Sequence, residues 1–349
     1  MLRSSSFASF HHLCAVRGMS TTVEKQISET NFGNDVFRNK SFSELCRGLV
    51  ILKMCTYPAF AKNAENFYSL GSKTIGRSLT NYVLRKTFFN HFVAGETKET
   101  LHKECEKMLQ NGNMKVMLCP PMEDLGTDRE HCKERIKENV RRYMEFVDIA
   151  IELNKTQRGQ QALVQFKPTA VFPNSIMETD SKNAERNNIS MAETVTKYAK
   201  IMNGATDSSV NPIVVEGLKA TQKMYEKAAK SNIPIIVDGE LRSTYFSLHA
   251  LTMAASLLYN SPKSDHTYVY GTFQCYLKDT PRYFDLSVDV SNELNFRLGA
   301  KFVRGAYMEV ERRLAKKENR EDPVRPSHAH TSDAYDMLVS KALLQVAKN

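Results

Sequence analysis

The sequence predicts an α/β fold built on a parallel sheet, and three observations carry that reading. After residue 95, short β-type runs alternate with longer helical ones. Those runs are almost continuously apolar, as strands covered on both faces are. The segments between them are long enough to hold a helix in each crossover, which parallel strands require. At this scale the choices are a doubly wound sheet or a (β/α)8 barrel. No G-x-G-x-x-G follows any strand, which counts against the dinucleotide-binding form of the former.

The chain begins MLRSSSFASFHHLCAVRGMSTTV, with Arg3 and Arg17, several serines and no acid before Glu24. Basic, Ser-rich and acid-poor is the composition of a mitochondrial transit segment, assigned to residues 1–23 and set apart from the fold. Residues 24–110 form a helical region. Within it, residues 41–92 have apolar positions recurring at three and four, with Ser41 as N-cap. The most apolar stretch, residues 49–61, is interrupted by Lys53 and Pro58 and is shorter than the ~20 residues that span a bilayer. It reads as a buried core helix, with an interfacial membrane contact as the alternative. Residues 71–78, GSKTIGRS, nearly match the phosphate-binding G-x-x-x-x-G-K-[ST]. Arg77 stands where the lysine is needed and no apolar strand precedes Gly71, so a nucleotide loop is rejected.

Residues 111–349 carry the sheet. Strands are expected at 114–119 (MKVMLC), 162–169 (ALVQFKPT), 233–238 (IPIIVD), 267–274 (TYVYGTFQ) and 301–305 (KFVRG). One intervening helix places Val214, Leu218, Tyr225 and Ala229 on a single face; another covers 240–259, and a last one 331–347. A closed barrel needs eight strands, and three further units would take on the order of 100 residues. The expectation is therefore an open sheet, or a barrel incomplete at about five of eight strands.

Composition narrows the function. Apolar residues are 42% and charged residues 25%, ordinary for a globular chain. The net charge of +9 is spread without a dense basic block, so no nucleic-acid partner is expected. The seven cysteines are odd in number and include no C-x-x-C, which argues for reduced thiols and against a zinc site. Ser327 to His330 lacks an acidic or Cys partner at ligand spacing, so no metal is expected. Residues 130–134 and 309–321 read as solvated helical charge. The chemistry sits at three strand ends: Lys167; Asp238 with Glu240; and Lys301, Arg304 and Tyr307. A charge ending an apolar run is costly to bury without a partner. The alternatives are a structural salt bridge, such as Asp238 with Lys167, or a site. Two lysines, an arginine and a tyrosine converging suit an anionic ligand such as a carboxylate, or an electron-rich cofactor.

The segments KFVRGAY at 301–307, followed by MEVERRLA, and GTFQCYLK at 271–278 resemble the mitochondrial proline dehydrogenase family. So do FVAGE at 92–96, FKPTA at 166–170, VDGE at 237–240 and EDP at 321–323, and the likeness runs over roughly residues 30–349. It implies a distorted (β/α)8 barrel that binds FAD without a Rossmann fold and oxidises L-proline to Δ1-pyrroline-5-carboxylate. Electrons would pass to ubiquinone of the inner mitochondrial membrane, from the matrix side. Residue by residue, it implies that Lys167 pairs with the proline carboxylate and that Asp238 is an active-site aspartate. Gly239 would contact the flavin through its backbone, and Lys301 would lie beside flavin N5, favouring the reduced, anionic flavin. Val303, Arg304 and Gly305 would form a flavin-binding segment, and Tyr307 would line the substrate pocket. Gly271 falls where bacterial members use a flavin-contacting Gln; Gln274 is three positions on, and strand alternation assigns it to the opposite face. The family's further strands and a final helix with two carboxylate-clamping arginines are not in the sequence, so a C-terminally truncated chain that does not turn over proline is expected. The rival functions are an inactive chain acting by protein association, and a Schiff-base lyase using Lys167 or Lys301.

Overall fold

Five parallel strands form one sheet in the order β1-β2-β3-β4-β5: Val116–Leu118, Ala162–Phe166, Ile235–Val237, Val269–Gln274 and Gly299–Val303. The computed structural model describes residues 37, 40–110, 115–122, 132–156 and 162–348; the transit segment predicted at 1–23 lies outside them. The strand order decides between the two candidate architectures. A doubly wound sheet reverses its order at a switch point. Here each strand pairs with the next in sequence, and right-handed crossovers then put every helix on the same face. The sheet is thus an arc of barrel wall, with a helical outer layer and a concave inner face.

The chain divides into two units, the second beginning at Lys115. In the first, α1 (Phe42–Cys55) starts at the predicted Ser41, whose hydroxyl accepts a hydrogen bond from the Glu44 N–H while the Glu44 carboxylate accepts one from the Ser41 N–H. The unit continues with α2 (Pro58–Lys62), α3 (Ala64–Thr74), α4 (Arg77–Leu84), a π-helical turn at Arg85–Phe89, α5 (Asn90–Phe92) and α6 (Lys98–Gln110). Gly76 joins α3 to α4 at φ 85°, so the rejected phosphate motif is a helix–helix corner. The buried-helix reading of residues 49–61 is corrected: Leu49 is 73% exposed, and Val50 and Leu52 are more than half exposed. The stretch has apolar residues on every side, and one helix cannot bury all of them. Among the described side chains of residues 42–92, those buried are Gly48, Ile51 and Thr80.

In the second unit α7 (Cys132–Thr156) connects β1 to β2. A 3-10 turn at Pro168–Ala170, α8 (Asn174–Arg186), α9 (Met191–Met202) and α10 (Pro212–Lys230) lead to β3, and a 3-10 turn at Arg242–Thr244 and α11 (Tyr245–Tyr259) lead to β4. Then come α12 (Thr280–Glu293), β5, α13 (Met308–Lys317) and α14 (His328–Lys348). Alternate strand residues face the helices and form the core: Phe166 packs edge-on to Tyr143 of α7 and Tyr225 of α10. Phe273 of β4 meets Phe284 of α12 and Phe302 of β5, with Leu338 of α14 in the same cluster. His249 of α11 is walled in by Tyr245, Phe273 and Tyr283, and burial lowers its pKa to about 4. The charged run at 309–321 is not wholly solvated. Glu311 is 1% exposed, accepts the Arg242 N–H at 2.7 Å, and lies 3.7 Å from the Arg320 guanidinium. No described helix is long and apolar enough to cross a membrane. The six described cysteines are free thiols.

Candidate active site

The ladder register brings the predicted residues together. Gln165 pairs with Ile236 and Phe166 with Val237, and the Asp238 N–H donates to the Phe166 carbonyl at 2.8 Å. The next step therefore sets Lys167 beside Asp238. Ile236 pairs with Tyr270, so Asp238 stands beside Thr272, and Thr272 pairs with Lys301. Lys167, Asp238, Thr272 and Lys301 thus occupy one row across four strands, on the face away from the helices, with Lys167 and Asp238 just past the C-terminal ends of β2 and β3 and Thr272 and Lys301 within β4 and β5. A cavity of about 320 Å³ opens toward the N-terminal ends of the strands, lined among others by Lys115, Ala162, Pro234, Ile236, Tyr270 and Lys301.

The ion pair in this row is Lys301 Nζ to Asp238 Oδ1, at 2.9 Å, with side chains 24% and 18% exposed. Asp238, for which Lys167 was one candidate partner, pairs with Lys301, which comes from the middle of β5 and lies beside Thr272 in the ladder. Thr272 donates its own hydroxyl to the Val237 carbonyl at 2.7 Å. Lys167 is set by its backbone, whose N–H donates to the buried Tyr143 phenol at 3.1 Å. Pro168 then ends the ladder, having no N–H to give.

Gly239 is a close-packed position: a Cβ there would come within 3.2 Å of the Gln274 and Thr272 side chains. Val303 shares the Lys301 face and pairs with Gln274. Gly305 lies in the turn after β5, and Tyr307 caps α13, its N–H donating to the Tyr276 phenol at 3.3 Å. Arg304 does not join the row; it is exposed and stacks over Tyr335 of α14, 5.2 Å from the ring centroid. The Gly271 assignment is corrected. A Cβ at Gly271 would meet Thr252 of α11 at 3.3 Å, so that position faces the helices.

Gln274 is the residue the sequence reading turned away. It shares the face of Thr272 and Lys301, is fully buried, and donates from Nε2 to the Glu240 carbonyl at 2.8 Å and the Gly239 carbonyl at 3.2 Å. Its Oε1 is buried with no donor among the described residues. The alternation of Thr272 and Gln274 with Gly271 and Phe273 was the signal that could have placed it. Cys119, just past β1, was also missed. Burial pushes its thiol pKa up, with Lys167 and Lys301 acting in the opposite direction. No cluster of His, Cys, Asp or Glu that could hold a metal occurs among the described residues.

A parallel α/β wall that gathers cationic groups, a carboxylate and a buried amide on its inner face has the chemistry to hold an anionic small molecule. The chain belongs to the proline dehydrogenase family, which it matches over residues 124–349. It is 27% identical to hydroxyproline dehydrogenase of Bos taurus over 326 residues, covering 91% of this chain and 70% of that one. It is 26% identical to mitochondrial proline dehydrogenase 2 of Arabidopsis thaliana, covering 79% of this chain and 59% of that one. The fold matches that of proline utilization A from Bdellovibrio bacteriovorus with a TM-score of 0.58 at 14% identity, covering 80% of this chain and 26% of that much longer one.

Proposed function

We propose, against the expectation that the chain does not turn over proline, that it carries the FAD-dependent oxidation of L-proline or hydroxyproline to the cyclic imine, in the mitochondrion. The row Lys167–Asp238–Thr272–Lys301 is the observation that carries this reading. Lys167 neutralises the substrate carboxylate and orients the ring, with Tyr307 closing the pocket. FAD, when bound, supplies the capacity to accept two electrons from the ring C–H bond. The residues present fit that group: Lys301 offers a cation on the inner face, and the orphaned Gln274 Oε1 offers an acceptor to a ring N–H. Asp238 holds Lys301 in position, and the Lys301 charge favours the electron-rich, reduced state. The hydroxyproline dehydrogenase and proline dehydrogenase relatives support both substrates equally. Transfer of electrons onward to ubiquinone of the inner membrane has its own support in the first unit. Residues 40–93 carry eight Lys and Arg against two Glu, among exposed apolar side chains such as Phe42, Leu49 and Tyr82.

The test is anaerobic addition of L-proline, and separately of hydroxyproline, to the FAD-loaded chain. The flavin band near ~450 nm should bleach with at least one of them. A band that neither substrate bleaches overturns the reading. Borohydride trapping of a carbonyl substrate on Lys167 or Lys301 would replace it with Schiff-base chemistry.

A further inference from the structure

The geometry points to Tyr276 as a positioning residue: its phenol oxygen is a fixed post that ties the Gln274 amide to the turn after β5. The functional half of this inference rests on the reading above. Tyr276 is fully buried, and its phenol oxygen receives Gln274 Nε2 at 2.6 Å and the Tyr307 N–H at 3.3 Å. The ring cannot drift. The Tyr276 carbonyl accepts the Arg325 N–H at 2.8 Å, the Cys275 carbonyl before it accepts Arg325 Nε at 3.0 Å, and Leu277 after it bridges to Val324.

What the post holds is the segment expected to meet cofactor and substrate. The β4–β5 ladder runs out where the Cys275 N–H donates to the Val303 carbonyl at 2.8 Å. The next three residues, Arg304, Gly305 and Ala306, are exposed, and the chain is caught again at the Tyr307 N–H. One oxygen therefore sets the height of that turn relative to Gln274, whose amide also reaches the carbonyls of Gly239 and Glu240. Glu240 is joined in turn to Thr169, beyond Lys167, by a 2.8 Å hydrogen bond. A displacement at Tyr276 therefore acts first on the turn that carries Tyr307, while the β2–β3 ladder that sets Lys167 beside Asp238 does not depend on it.

Tyr276→Phe keeps the ring and removes the oxygen that accepts the Tyr307 N–H, while Gln274 Nε2 keeps the Gly239 and Glu240 carbonyls. Hydrogen exchange of the full chain without FAD reads the post directly. In the wild type the Tyr307 amide should be protected. In Tyr276→Phe it should exchange about tenfold faster, the scale of one lost hydrogen bond, with β2 and β3 unchanged. In the FAD-loaded enzyme the same variant should raise KM several-fold and leave kcat within about twofold, as a misplaced pocket wall does. An unprotected Tyr307 amide in the wild type overturns the proposal even if the variant fails to fold. So does faster exchange spread evenly over the unit, which would mark a purely structural role, or an unchanged KM beside the local loosening. Failure of wild-type flavin to bleach would instead refute the proposed function, and the exchange result would still decide whether Tyr276 holds the turn.

Discussion

At the scale of single residues, Asp238 and Lys301 act as one group. Under the proposed function, a lone cation beside a reduced flavin would stabilise it strongly, but a carboxylate 2.9 Å away cancels much of that field. The two substitutions should therefore move the flavin potential in opposite directions. Lys301→Met leaves the Asp238 charge alone and lowers the potential; Asp238→Asn leaves the cation alone and raises it. For a pair this exposed, each shift should be about 20–40 mV, the equivalent of about 1–2 kcal/mol for a two-electron couple. A spectroelectrochemical titration checks both, and shifts of the same sign would remove Lys301 from the site. His249 makes a separate prediction. Burial lowers its pKa from 6.5 to about 4, so the unfolded chain takes up a proton that the folded chain refuses. Stability from this group is complete above pH 6.5 and falls as the pH drops toward 4. At pH 5 the loss should be about 2 kcal/mol, and His249→Phe, aromatic in an aromatic cage, should lack that component. Unfolding free energies of both proteins at pH 7 and pH 5 measure the difference.

At the scale of elements, α10 shows packing overriding propensity. Gly217 interrupts an otherwise regular helix, and Ala would be the better helix former by about 1 kcal/mol. A Cβ there would fall 2.5 Å from the Phe172 ring, which is 2% exposed and has nowhere to swing. Overpacking of that kind costs about 1–3 kcal/mol. Gly217→Ala should thus be destabilising by about 1 kcal/mol net, seen as a lower urea midpoint at unchanged m. The same competition explains which elements were legible in the sequence. All five strands were located, because apolar runs between helical segments are a local signal. Their ends were not. β2 stops at Phe166 since Pro168 cannot extend the ladder, while β5 starts earlier than read, at Gly299, because pairing with Tyr270 imposes strand on a Gly-Ala pair of weak propensity. Lys167, Asp238 and Lys301 were legible as charges at apolar strand ends. Gly271 was given the wrong face because the polar Thr272 and Gln274, two apart, were not read as the inward-facing side of β4. Tyr276 lies past the end of its strand, where no periodicity reaches, and its partner at Tyr307 is 31 residues away.

At the scale of the whole molecule, the two units differ in what they bury. The second unit has a continuous aromatic core behind its sheet. The first has few buried side chains and leaves Phe42, Leu49, Phe67, Leu79, Tyr82 and Phe92 each at least half exposed. Exposed apolar side chains interleaved with positive charge have the composition of an interaction surface. An anionic bilayer satisfies both properties: apolar side chains enter the headgroup boundary, and each basic residue near the surface contributes about 1 kcal/mol. Under the proposed function such a surface would bring the enzyme to its quinone acceptor. The chain should therefore co-sediment with vesicles rich in anionic phospholipid and much less with neutral phosphatidylcholine, and high salt should release it. The double variant Leu49→Asp, Leu79→Asp should lose at least about tenfold in vesicle affinity, since each change removes roughly 1.5–3 kcal/mol of apolar transfer when the side chain is fully buried. Because both positions are exposed, the thermal stability of the variant should match that of the wild type. Equal binding to neutral and anionic vesicles, or undiminished binding of the double variant, would mean that this surface faces another protein instead.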